Sequence, residues 1–165
     1  MPDMTQNASV LSRIAIYQTI IEKLSNDFGS RLKTVVLFGS RARDQANENS
    51  DHDLFLVIES LPKSRLDRLR EIRKVIWNTP IRINTIAKTP EEVEQNLTPM
   101  LLEIGVDGIC LFGEPYFKNY RDKALKAIHQ AKLKREKVDG VWCWKFDKIP
   151  LKEWEISWDG YRELS

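Results

Sequence analysis

The sequence predicts an α/β chain of the α+β kind, a small mixed β-sheet flanked by helices. Two short runs, residues 34–38 and 52–58, are almost wholly apolar and rich in Val, Leu, Ile and Phe, as strands buried on both faces are. The segments between such runs repeat apolar residues at helical rather than strand spacing. Breakers stand at the boundaries, with Gly39 and Gly113 closing strands and Thr89-Pro90 opening a helix.

The elements follow in order. Residues 8–28 carry Val10, Ile14, Tyr17, Ile21, Leu24 and Phe28 at helical spacing, with Asn7 as the expected N-cap and Gly29 as the stop. That stripe is expected to face the core. The first strand, 34–38, ends at Gly39, the polar stretch 41–50 follows, and 52–58 forms the second strand. Pro62 opens a charged helical segment, 63–77, with Leu66, Leu69, Ile72, Val75 and Ile76 on one side. A third strand, 81–88, runs into Thr89-Pro90-Glu91-Glu92, a threonine cap with proline in the first helical position and two early acids. That helix is expected to reach about Ile104, disturbed at Pro99. Residues 109–112 make a fourth short strand closed by Gly113.

Residues 116–137 read as a basic helix, with eight Lys or Arg against Asp122 and Glu136. A solvated face explains the charge; a surface for RNA or an acidic partner is the alternative, without the aromatic pattern of single-strand binding. Residues 138–165 hold Trp142, Trp144, Trp154 and Trp158. Residues 141–144 and 154–158 are expected to pair as strands, their aromatic face packed on the body or presented to a partner. The organisation expected is a unit at 1–113 and an extension at 114–165.

Bulk properties exclude several classes. The chain has 165 residues, 42% hydrophobic and 30% charged, enough for a real core and unlike a disordered segment. A net charge of +2 does not by itself imply nucleic-acid binding. No apolar run approaches the roughly 20 residues of a membrane helix, and the polar N-terminus lacks a secretory apolar region. Cys110 and Cys143 lack metal-ligand spacing and read as buried thiols of a cytoplasmic protein.

The chemistry concentrates at residues 39–53. Gly39-Ser40 closes the first strand, and Asp51 and Asp53 open the second. Glycine at a strand end lets a phosphate approach without meeting a Cβ. A helical turn at Ser40 would turn N–H groups and a hydroxyl toward phosphate oxygens, and Arg41 and Arg43 can add positive charge. Strand alternation puts Asp51 and Asp53 on one face, about 7 Å apart at Cα. Two carboxylates so placed can bracket a pair of Mg²⁺ ions about 3.5–4 Å apart. Without cations they would repel each other. His52 points the other way and reads as structural. The competing reading makes Asp51 a loop cap and Asp53 a solvated strand edge.

Strand, Gly-Ser, ten residues, Asp-X-Asp-Leu and a third strand before Thr-Pro-Glu-Glu resembles the minimal nucleotidyltransferases of the polymerase-β superfamily. The resemblance runs from the first helix to about Gly113. It implies that Gly39 and Ser40, with Arg41 and Arg43, hold nucleotide phosphates, and that Asp51 and Asp53 bind Mg²⁺. Many such proteins are paired with a small helical HEPN-type ribonuclease and act as its antitoxin, in some cases by adding AMP from ATP to a tyrosine on it.

One position departs from that pattern. Where the family places a third carboxylate, this chain has Asn84, which can offer a metal a carbonyl oxygen but cannot serve as a base. Neither Arg82 nor Lys88 replaces it. Two accounts are open: turnover on two carboxylates, with water or the acceptor's surroundings taking the proton, or nucleotide binding without efficient transfer. The leading expectation is a Mg²⁺-dependent nucleotidyltransferase. The alternative is an antitoxin or scaffold that neutralises its partner by binding. Antibiotic nucleotidylation is a weaker reading, because little chain follows Gly113 to form a drug-binding domain.

Overall fold

A four-stranded sheet is covered on both faces by helices. The computed structural model describes the backbone of residues 4–164 and the side chains of residues 14–164. Helix α1 spans Met4–Phe28, β1 Leu32–Phe38, β2 His52–Ile58, α2 Arg65–Val75, β3 Ile83–Lys88, α3 Pro90–Gln95, α4 Pro99–Asp107, β4 Ile109–Phe112 and α5 Glu114–Ala131. The sheet order is β3-β2-β1-β4. β1 runs antiparallel to β2 and β4, and β2 runs parallel to β3.

Alternation divides the central strands between two cores. Val35, Leu37, Leu54, Leu56 and Ile58 pack with Tyr17, Ile20 and Leu24 of α1 and Ile72 of α2. Val36, Phe55 and Val57 pack on the other face with Leu101 and Ile104 of α4, Phe117 and Tyr120 of α5, and Trp158. Both faces of β1 and β2 are therefore dry, the reason their sequences read as continuous apolar runs rather than alternating ones.

Several expectations need correction. Helix α1 begins at Met4, so Asn7 lies inside it rather than at its cap, and Val10 lies outside the described side chains. The buried stripe is Tyr17, Ile20, Leu24 and Phe28, while Ile14 is 47% exposed. The helix is rotated so that Ile20, not Ile21, meets the sheet. In α2, capped by Ser64, Leu66 faces solvent and Ile72 is buried. Around Pro99 the chain breaks fully, α3 ending at Gln95 and Thr98 capping α4.

The largest correction is at the C-terminus. Helix α5 stops at Ala131, because Lys132 adopts a left-handed conformation with φ 52°. Leu133–Val138 is then β5, antiparallel to β6, Val141–Phe146. The Trp-rich segments do not pair with each other: Trp154–Ser157, β7, pairs with Gly160–Glu163, β8. Alternation along β6 turns Trp142, Trp144 and Phe146 inward and leaves Cys143 exposed, while Cys110 is half-buried, so neither is the buried thiol expected. Trp158 packs into the core, its ring centroid 4.9 Å from that of Tyr120 and its Nε1 donating to the Val93 carbonyl at 2.5 Å. Trp77 at the end of α2 is instead 78% exposed. Among the described residues no helix is long and apolar enough to cross a membrane.

Candidate active site

Three strand ends meet at one point. Antiparallel pairing sets Phe38, the last residue of β1, opposite Asp53. Parallel pairing sets Asn84, near the start of β3, beside Asp53 on the other side. Gly39 therefore turns away immediately next to Asp53, with φ +73°. A Cβ at residue 39 would overlap the Asp53 carboxylate. Glycine serves here both for its left-handed backbone and for the room it leaves a carboxylate.

After that turn, residues 39–41 form a single 3-10 turn, with the Gly39 carbonyl accepting from the Ala42 N–H. The Ser40 carbonyl accepts from Gln45 N–H at 2.9 Å. The loop to Asp51 is held by its own polar groups. Arg41 donates to the carbonyl of Ser50 at 2.8 Å and of Asn47 at 3.3 Å. Asn47 N–H donates to Ser50 Oγ at 3.0 Å, and Asn49 N–H to Asn47 Oδ1 at 2.9 Å. Arg41 thus fastens the loop in this structure, a structural task that its sequence position did not announce. Arg43 donates to Gln45 Oε1 at 3.3 Å and stands 3.7 Å from Asp107 Oδ2. Asp107, at the end of α4, also receives both guanidinium nitrogens of Arg135 on β5. The C-terminal hairpin is thereby linked to the Gly-Ser turn.

The carboxylates have different surroundings. Asp53 is half-buried and its Oδ1 accepts from Asn84 Nδ2 at 3.2 Å. Asp51 is exposed and ion-paired with Arg82, Nε to Oδ1 3.1 Å. Arg82 also donates to the Asn49 carbonyl. His52, between the two acids, turns into the opposite core, where its Nδ1 lies 2.6 Å from the Tyr17 hydroxyl. That buried contact ties the start of β2 to α1 and fixes which face the acids take. The structure therefore gathers Gly39, Asp53 and Asn84 in direct contact and places Ser40 and Asp51 next to them in the chain. Arg41 and Arg43 are engaged elsewhere. Arg82, Asp107 and Tyr17 were given no place at the site from sequence, Tyr17 being read as core and Arg82 only as no substitute for a third carboxylate; for Arg82 the available signal was its i, i−2 relation to Asn84.

Hard oxygen donors suit Mg²⁺, and the carboxylates of Asp51 and Asp53 are of that kind, with glycine at residue 39 leaving the Asp53 carboxylate its place. Asp51 and Asp53 would hold the ion, with the Asn84 amide as the neighbouring neutral group. Among the described residues no group of three or more His, Cys, Asp or Glu could hold a metal. A separate cleft of about 700 Å³ is lined by Arg70, Arg73, Lys74, Ile76, Trp77 and Ile83 among others. It lies on the other side of β3, since Ile83 and Asn84 alternate, and it presents no carboxylate.

A family profile described as a nucleotidyltransferase domain matches residues 18–109. This chain belongs to the nucleotidyltransferase domain family. A curated relative from Methanocaldococcus jannaschii, named "Putative protein adenylyltransferase", is 29% identical over 123 residues, covering 71% of this chain and 84% of the relative. Two crystal structures share the fold at low identity. One is a toxin–antitoxin with AMP-PNP, 18% identical with TM-score 0.52, covering 66% of this nucleotidyltransferase and 83% of that chain. The other is a mutant of the toxin–antitoxin MntA-HpeT, 16% identical with TM-score 0.51 and the same coverages. The mixed sheet between helical layers is the arrangement these relatives share.

Proposed function

We propose that this nucleotidyltransferase moves AMP from ATP to an acceptor hydroxyl, a tyrosine of a HEPN-type toxin, and so acts as a Mg²⁺-dependent cytoplasmic antitoxin. The observation that carries the reading is the Gly39 backbone lying against the Asp53 carboxylate, which brings a phosphate-accessible turn and a metal ligand into contact. The name of the archaeal relative supports adenylyl transfer to protein, and the toxin–antitoxin neighbours support the partner class.

In this reading Gly39 gives the triphosphate close access to the backbone, and Ser40 offers N–H and hydroxyl donors. Asp51 and Asp53 would hold the ion, and Asn84 orients Asp53 through its amide. The chemistry a bound Mg²⁺ would supply is positive charge against that developing on the α-phosphate and the departing pyrophosphate. The acceptor hydroxyl is held in line for attack. With asparagine at residue 84, its proton leaves to water or to the acceptor's own surroundings. Arg41 keeps the loop in shape, and Arg43 is free to turn from Asp107 to phosphate when nucleotide binds. Residues 1–113 form the transfer unit, with 114–165 as its extension.

The test is incubation with ATP labelled at the α-phosphate, Mg²⁺ and a helical HEPN-type toxin as candidate acceptor. Label on that protein with the wild type, absent with Asp51→Ala/Asp53→Ala, is the expected result. No label with either protein would refute transfer. Neutralisation that survives the double substitution would favour a second reading, inhibition by binding, which draws on the missing third carboxylate at Asn84.

A further inference from the structure

Two donors at the start of β3, Arg82 just before it and Asn84 within it, face two acids at the start of β2, Asp51 just before it and Asp53 within it. The parallel register pairs His52 with Ile83 and Asp53 with Asn84, so Arg82 stands opposite Asp51. Arg82 donates to Asp51 Oδ1 at 3.1 Å, and Asn84 donates to Asp53 Oδ1 at 3.2 Å. Each acid of the candidate metal site thus already has one oxygen taken by a neighbour on the adjacent strand. Arg82 holds a second anchor, the Asn49 carbonyl of the 41–50 loop. Its side chain is 73% exposed and that of Asp51 52%, which leaves the guanidinium free to swing outward.

From this ladder we infer that Arg82 is a resident counter-cation of the site: it occupies Asp51 until a divalent ion arrives, then transfers to the incoming triphosphate. The inference rests on the reading of Asp51 and Asp53 as metal ligands given above.

Charge supports it. Asp51 and Asp53, two residues apart at the start of β2, are both negative and repel unless a cation stands between or beside them. Arg82 supplies one such charge, so a bare divalent ion meets a half-neutralised site and must displace the guanidinium. An exposed pair of this kind is weak and is therefore displaceable. A nucleotide-bound metal brings phosphate oxygens that can accept the arginine it displaces. The arrangement therefore disfavours metal alone and favours metal together with nucleotide, making Arg82 a positioning residue whose two effects have opposite sign. A purely structural role would weaken both.

The experiment compares wild type, Arg82→Ala and Arg82→Lys, with Mn²⁺ alone as one probe and a non-hydrolysable ATP analogue as the other. Paramagnetic resonance reads free Mn²⁺, and calorimetry reads the analogue. Arg82→Ala should bind Mn²⁺ roughly three- to tenfold tighter, the loss of one charge a few ångströms from the ion, and the analogue more weakly. Arg82→Lys should stay near wild type with both. Mn²⁺ affinity unchanged or lowered in Arg82→Ala would overturn the inference. Equal binding of both probes by wild type and Asp51→Ala/Asp53→Ala would overturn the reading of the site itself, and the inference with it.

Discussion

Replacing Gly39 with alanine isolates the contact on which the site is built. Two costs follow from its position. Alanine at φ +73° pays for a left-handed backbone, about 1–2 kcal/mol. Its Cβ would overlap the Asp53 carboxylate, an overpacking cost of about 1–3 kcal/mol if neither group gives way. If Asp53 turns aside instead, the bond to Asn84 is lost and the metal ligand leaves its place. Gly140 is the control, at φ +81° with nothing near its absent Cβ, so Gly140→Ala reports the backbone cost alone. The comparison also cancels the gain alanine makes by restricting the unfolded chain. At about 2–4 °C per kcal/mol for a chain of this size, Gly39→Ala should lower the melting temperature by roughly 4–20 °C, more than Gly140→Ala. Nucleotide binding should weaken in Gly39→Ala and stay unchanged in Gly140→Ala. A double-mutant cycle with Asp53→Ala completes the test, because removing the carboxylate removes the collision. A coupling of about 1–3 kcal/mol is expected between residues in contact. Additive effects, or wild-type nucleotide binding by Gly39→Ala, would refute the reasoning.

Asn84→Asp restores a third carboxylate; divalent-ion affinity should rise by about tenfold as ligand charge increases, and unchanged affinity by calorimetry would show that residue 84 is not at the metal. Glu92 receives two hydrogen bonds from Arg68, at 2.6 and 2.7 Å, and these, with the Thr89 N–H, hold its carboxyl at about 2 against the opposing effect of burial. Its folded-state value lies below the unfolded one, so its contribution is complete at neutral pH and is lost as pH falls from about 4.5 toward 2. With the side chain 37% exposed, that contribution is about 1 kcal/mol after screening, and Glu92→Gln should flatten the acid limb of a pH–stability curve by that amount. Trp158→Ala removes a core residue 9% exposed and should cost about 3–5 kcal/mol in denaturant unfolding; Trp158→Phe should cost about 1 kcal/mol, for the bond to Val93.

The sheet was legible where burial is two-sided. His52–Ile58 matches its predicted bounds because residues 54–58 are buried and wholly apolar, whereas Ile109–Phe112, an edge strand with no buried residue, matches because Gly113 closes it. Thr89-Pro90 marked its helix because the capping box is local chemistry, with the Thr89 and Glu92 side chains each bonding the other's backbone N–H. The C-terminus was misread because residues 132–138 are mostly Lys, Arg and Glu, which suit a helix by composition. The signal that could have corrected it is Asp139-Gly140, a two-residue hairpin turn with both φ values positive, between segments that alternate. At the site, spacing pointed to Gly39, Ser40, Asp51 and Asp53, and the structure brings Gly39 and Asn84 against Asp53. Spacing did not point to Arg82 or Asp107, because their partners lie on other elements. Only the β2–β3 register brings Arg82 to Asp51, and only the α4 terminus brings Asp107 to Arg43 and Arg135.

The most direct measurement is a crystal grown with Mn²⁺ and a non-hydrolysable ATP analogue, read by anomalous scattering. An anomalous peak bound by Asp51 and Asp53, with phosphates against Gly39 and Ser40 and Arg82 turned from Asp51, is the predicted result. Nucleotide in the cleft beside Trp77, with no metal at the two aspartates, would contradict the account.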